Sequence, residues 1–144
     1  MKKKLYIGCA LTHLPADKKE SFLELILKIK KELSNFFDIL EFKGTDDLLT
    51  AHPLSPQEIY DYDIKNCVMK ADCMLAICDY YGLGLGYEIA TAVEKQGIPV
   101  LAMAHKDAAV SRLIRGINRK NFHFIYYDSF DEIIEKTLKT LTTY

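Results

Sequence analysis

Apolar and polar positions follow two rhythms along this chain, and the rhythms take turns. Lys4 to Ala10 is a short, nearly continuous apolar run with the length of a buried strand. From Ala16 to Phe36 the apolar residues recur every three or four positions. That spacing puts Phe22, Leu25, Ile26, Ile29 and Leu33 on one face of an amphipathic helix. Phe37 to Phe42 reads as a second strand. A polar stretch with Gly44 and Pro53 follows, and then Ser55 is placed to cap a helix with Pro56 in its first turn, running to about Lys70. Asp72 to Asp79 and Ile98 to Ala104 are buried-strand runs, each followed by a helical pattern, Gly86 to Gln96 and Ala108 to Ile117. Phe122 to Tyr127 and Phe130 to Thr140 complete the alternation.

Strands that alternate with helices and are apolar on both faces belong in a parallel sheet covered on both sides. The pattern predicts an α/β fold: one domain over residues 1–144, doubly wound, with a five-stranded parallel sheet. The expected order is flavodoxin-like (Rossmann-like), 2-1-3-4-5. In such sheets the ligand crevice lies past the C-terminal strand ends, between the first and third strands. That points to two loops, Gly8 to Pro15 and Asp79 to Gly86.

Composition narrows the partners. The chain has 144 residues, 49% of them hydrophobic, and a formal net charge of −1. No electrostatic bias favours a nucleic acid polymer or an anionic membrane, so a small-molecule partner is expected. No apolar run has a membrane-spanning length, and the basic Met1 to Lys4 start lacks the rest of a secretory signal, so the expected location is cytoplasmic. Cys9, Cys67, Cys73 and Cys78 form no disulfide framework and no metal-ligand spacing. Neither a metal nor any other cofactor is expected.

Candidate chemistry gathers in the third loop, which ends Gly82-Leu83-Gly84-Leu85-Gly86-Tyr87-Glu88. Its glycines allow backbone to approach a ligand closely. They do not make a dinucleotide fingerprint, because the spacing is wrong and the loop follows the third strand. Glu88 is expected in the first turn of the next helix, where the helix dipole favours an ionised carboxylate. Such a group can attack an anomeric carbon, or it can simply complement the dipole. Breaking a glycosidic bond calls for a second group to help the leaving base. Asp61 and Asp63 are the nearby acids, and Asp61 reads as a solvated one. His13 is a loop histidine that could hold a phosphate or lie at the surface. His52, His105 and His123 form no constellation.

Taken together, these residues make the chain resemble the nucleoside 2-deoxyribosyltransferase family, which includes the 2′-deoxynucleoside 5′-monophosphate N-glycosidases. The resemblance runs from Leu5-Tyr6-Ile7-Gly8-Cys9 through Tyr62-Asp63, Ala71-Asp72, Gly84-Leu85-Gly86-Tyr87-Glu88 and Pro99-Val100-Leu101 to Ser111-Arg112-Leu113-Ile114-Arg115-Gly116. It implies a catalytic Glu88 that forms a glycosyl-enzyme intermediate. It further implies that Asp63 contacts the base and aids its departure, and that Tyr6 orients the glutamate. The sugar would pass to another base or to water.

The substrate-binding backbone is expected at Gly8, Cys9, Gly82, Gly84 and Gly86. The chain departs from the family at the 5′ end. Tyr81-Gly82 replaces the Pro-Ser pair with which the hydrolases hold a 5′-phosphate. The spacing from Asp63 to Asp72 is also one residue longer than the family's usual pattern. By resemblance, Ser111, with Arg112 beside it, is offered to the phosphate from a neighbouring subunit, so a homodimer or higher homo-oligomer is expected. The competing reading is a non-catalytic nucleotide sensor. A sensor for an anionic ligand gains nothing from two acids, which favours catalysis.

Overall fold

The computed structural model describes residues 1–42 and 54–144. Gly44, His52 and Pro53 lie outside the described residues. The sheet has five parallel strands in the order 2-1-3-4-5. They are β1 (Lys4–Cys9), β2 (Asp38–Leu40), β3 (Cys73–Ile77), β4 (Val100–His105) and β5 (Phe122–Tyr127). β1, β3 and β4 are almost wholly buried, as their unbroken apolar runs require of central strands covered on both faces. Asp72 ties the start of β1 to β3. Its carboxylate accepts the Lys4 N–H at 2.8 Å, and its own N–H donates to the Lys4 carbonyl at 2.8 Å.

The helices are α1 (Lys19–Leu33), α2 (Pro56–Tyr60), α3 (Leu83–Ala90), α4 (Arg112–Arg115) and α5 (Phe130–Leu141). α1 buries Phe22, Ile26, Ile29 and Leu33, the stripe expected from its periodicity. α2 opens on a reciprocal capping box between Ser55 and Glu58, with proline in its first turn. The helix foreseen to Lys70 is not uniform. It widens to a π-helical run over Asp61–Cys67 and tightens to a 3₁₀ turn over Val68–Lys70. A π turn takes up more chain than an α turn. The Asp63-to-Asp72 spacing runs through this stretch.

Two further boundaries need correction. The third helix starts at Leu83, three residues before the expected Gly86, and its π-helical end (Thr91–Gln96) stops at Gly97 in the left-handed conformation, φ 63°. The helix expected over Ala108 to Ile117 is only the short turn α4. Ala108, Val110, Ile114 and Ile117 still pack on the core, and that packing produced the apolar spacing. All four cysteines are free and buried. Among the described residues no helix is long and apolar enough to cross a membrane.

Candidate active site

A cavity of about 310 Å³ opens past the C-terminal ends of β1 and β3. The first loop supplies Cys9, Ala10, Leu11 and Thr12. The helix into β3 supplies Ile59, Tyr60, Asp63 and Ile64, and the third loop and α3 supply Gly82, Gly84, Tyr87 and Glu88. The size suits a small ligand.

Glu88 forms the floor. Because α3 begins at Leu83, Glu88 lies in the second turn, not the first, and no acid occupies the first turn. It is buried, with 7% of its surface exposed. The expected dipole-stabilised, ionised acid is therefore corrected. Burial raises the Glu88 pKa to about 8 against the opposing hydrogen bond from Tyr6, and the nearby Asp63 charge adds to the rise. The fully buried Tyr6 donates its hydroxyl to Glu88 Oε2. Burial and the facing carboxylate push the Tyr6 phenol well above its ordinary range. Tyr6 thus keeps its proton and works as a fixed donor.

Gly8 explains how the carboxylate fits. A Cβ there would stand 3.0 Å from Met74 Cε and 3.2 Å from both Glu88 Oε1 and the Tyr6 ring. Gly82 caps α3 in extended backbone and presses on the first loop, where a Cβ would lie 2.8 Å from that of Ala10. The two crevice loops are packed together at that point. Gly82, Gly84 and Leu85 at the start of α3 line the cavity, and a helix start leaves its first amides without intrahelical partners. Gly86 lies away from this cavity, beside a smaller hollow.

Asp63 and Asp61 divide as their positions suggest. Asp63 lines the cavity, and its charge is felt by both Tyr6 and Glu88. Asp61 pairs with Lys65 at 2.9 Å, with both side chains well exposed. Ser111 and Arg112 are not at this cavity. Ser111 caps α4 by accepting the Leu113 N–H at 3.2 Å, and it lines the smaller hollow on the far side of the third loop; Arg112 is exposed. His13 stacks on Tyr81, ring centroids 4.9 Å apart, at the loop surface. Asp79 is structural, since it accepts the Tyr127 hydroxyl and the His105 N–H and so holds the third loop to β4 and β5.

Sequence reasoning missed Phe42, Ile59, Tyr60 and Tyr87 in the cavity wall. The helical spacing of Pro56, Ile59, Tyr60, Asp63 and Ile64 was the available signal for one wall. Among the described residues no cluster of three His, Cys, Asp or Glu side chains is arranged to hold a metal ion.

No family model matches the chain. Over 94 residues it is 38% identical to a Thermofilum pendens protein, a match covering 63% of this chain and 64% of the relative. Over 76 residues it is 33% identical to a Methanococcoides burtonii protein, covering 53% and 57%. Both relatives bear the name "Putative 2'-deoxynucleoside 5'-phosphate N-hydrolase 1". The chain spans less than two thirds of the length of the curated relatives it matches. A solved structure, the Clostridium botulinum CMP N-glycosidase, shares the fold with a TM-score of 0.70. That match covers 99% of this chain and 100% of that one at 19% identity, a likeness of fold alone. The named relatives agree with the resemblance drawn from the sequence.

Proposed function

Starting from that kinship with the nucleoside 2-deoxyribosyltransferase family, we propose that this chain cleaves the N-glycosidic bond of a 2′-deoxynucleoside 5′-monophosphate or its nucleoside. The observation that carries the reading is the buried Tyr6–Glu88 pair under a cavity that Asp63 also lines. A Glu88 oxygen attacks C1′ while the C1′–N bond breaks, and the bonding electrons leave with the base. Asp63 faces the departing base. Water then adds its hydroxyl to C1′, its proton goes to the solvent, and the Glu88 carboxylate is released. An acceptor base in place of water completes a transfer instead. The Tyr6 donor keeps the carboxylate oriented and partly offsets its burial. The free amides at the start of α3 are the contact for a 5′-phosphate, because Gly82 has no side chain to offer.

The test is base release, followed by chromatography, from deoxynucleosides, ribonucleosides and their 5′-monophosphates, with and without an acceptor base. Free base without acceptor marks a hydrolase, and a new nucleoside only with acceptor marks a transferase. Glu88→Ala is expected to stay folded and lose roughly three orders of magnitude or more in turnover. Wild-type rates in that variant, or no base release from any substrate, would refute the reading.

A further inference from the structure

Lys30 is out of place as a structural residue. It sits on α1 among the residues that pack against the sheet, and only 6% of its surface is exposed. A buried ammonium is costly unless an acid partners it. None of the ion pairs among the described residues involves Lys30. Its Nζ instead lies 4.9 Å from the centre of the Phe42 ring. Phe42 is part of the cavity wall, and so is Cys9, whose thiol feels the Lys30 charge. The ammonium therefore stands immediately behind the wall.

The end of the cavity it stands behind can be identified. The Phe42 ring meets Tyr6 edge-on, with centroids 6.4 Å apart. The Cys67 thiol donates to the carbonyl of Glu41, next to Phe42, at 3.3 Å. Cys67 closes the π-helical segment that carries Asp63. Phe42 thus lies on the Asp63 side of the cavity, with Lys30 behind it and also near Cys9, while Gly82 meets the first loop at Ala10. On the reading that this cavity breaks an N-glycosidic bond, the Asp63 end receives the base. The cavity lining itself holds two carboxylates and, among the described residues, no lysine, arginine or histidine. Lys30 is a cation held directly against that lining, at Phe42 and Cys9.

We propose that Lys30 stabilises the negative charge that develops on the departing nucleobase. As C1′–N breaks, the electron pair goes to the base nitrogen, and the charge persists until a proton from solvent reaches it. A fixed positive charge in a poorly solvated wall favours that state over the neutral bound nucleoside. Lys30 acts through space, as a positioning residue in the electrostatic sense.

The test compares wild type, Lys30→Met and Lys30→Arg over deoxynucleosides whose bases differ in N–H acidity. Lys30→Met should lose most kcat with poor leaving bases and little with good ones, about tenfold between the extremes. Lys30→Arg should restore the wild-type dependence. A second arm needs no turnover: calorimetric binding of 5-nitrouracil, an anion at neutral pH, against neutral uracil. Wild type should favour the anion about tenfold more than Lys30→Met does. Equal losses for all bases, a loss confined to 5′-phosphorylated substrates, or an unchanged anion preference would overturn the proposal. If wild type releases no base but the anion preference depends on Lys30, the cleavage reading fails and the charge site stands.

Discussion

A carboxyl group that attacks carbon must give up its proton, and Glu88 is held where giving it up is costly. Burial lifts its pKa to about 8, and the hydroxyl of Tyr6 works against that lift. The free protein at neutral pH therefore carries Glu88 largely protonated. We predict that kcat/KM rises with pH, about tenfold per unit below about pH 8, and levels off above. Tyr6→Phe removes a donor that favours the carboxylate, so the inflection should move to higher pH. Stopped assays across the range measure both, and an inflection near an ordinary carboxylate value would contradict the burial argument. Stability has its own sign. The folded state holds this proton and the unfolded chain does not between about pH 4.5 and 8, so stability should fall as pH rises through that window. Glu88→Gln should flatten the fall, as read by urea unfolding at about pH 5 and about pH 8.

The two walls of the cavity are set by how two helices begin and widen. In the π-helical run Asp61–Cys67, Asp63 faces the cavity while Asp61 faces Lys65 and water. Asp63→Asn should therefore slow base release by at least about tenfold. Asp61→Asn should alter stability and rate only slightly, since water and salt screen an exposed ion pair. A larger rate effect at Asp61 would mean that the helix is turned otherwise in the working protein. Gly82→Ala should force the first and third loops apart at Ala10 and raise KM more than it lowers kcat. These contacts were only partly legible in the chain. The buried strands were readable because strands covered on both faces are continuously apolar. The π-helical run was not, because its wider repeat cannot be told from 3.6 over so few residues. The start of α3 was hidden by Gly82 and Gly84, which are poor helix formers. That hidden start moved Glu88 from an exposed first turn to a buried second one. Lys30 carried a faint signal, one turn after Ile26 on the core stripe, which a charged residue disguises.

At the scale of the whole molecule, one question is what completes the 5′ end of the cavity that Gly82 and Gly84 line. The sequence resemblance directs Ser111 and Arg112 at a neighbour's phosphate. In a single chain neither lies at the cavity. Large apolar side chains are exposed on the same loops: Leu113 74%, beside Ser111 and Arg112 in sequence, and Leu83 95% and Tyr81 71% on the third loop. Exposed apolar side chains around a site are what a symmetric subunit contact covers. We therefore expect a homodimer in which each subunit lends Ser111 and Arg112 to the other's helix start. The two functions are then separable by mutation. A Glu88→Ala protein keeps its donor residues and lacks the nucleophile. A Ser111→Ala, Arg112→Ala protein keeps the nucleophile and lacks the donors. Each alone should be nearly inactive on a 5′-monophosphate. If subunits exchange at random, half the dimers are mixed, and each mixed dimer has one complete site. Equal mixing should then restore about a quarter of wild-type activity. Sedimentation of the wild-type chain as an active monomer would exclude the shared site. So would an unimpaired double mutant, or no recovery after mixing that demonstrably exchanges subunits.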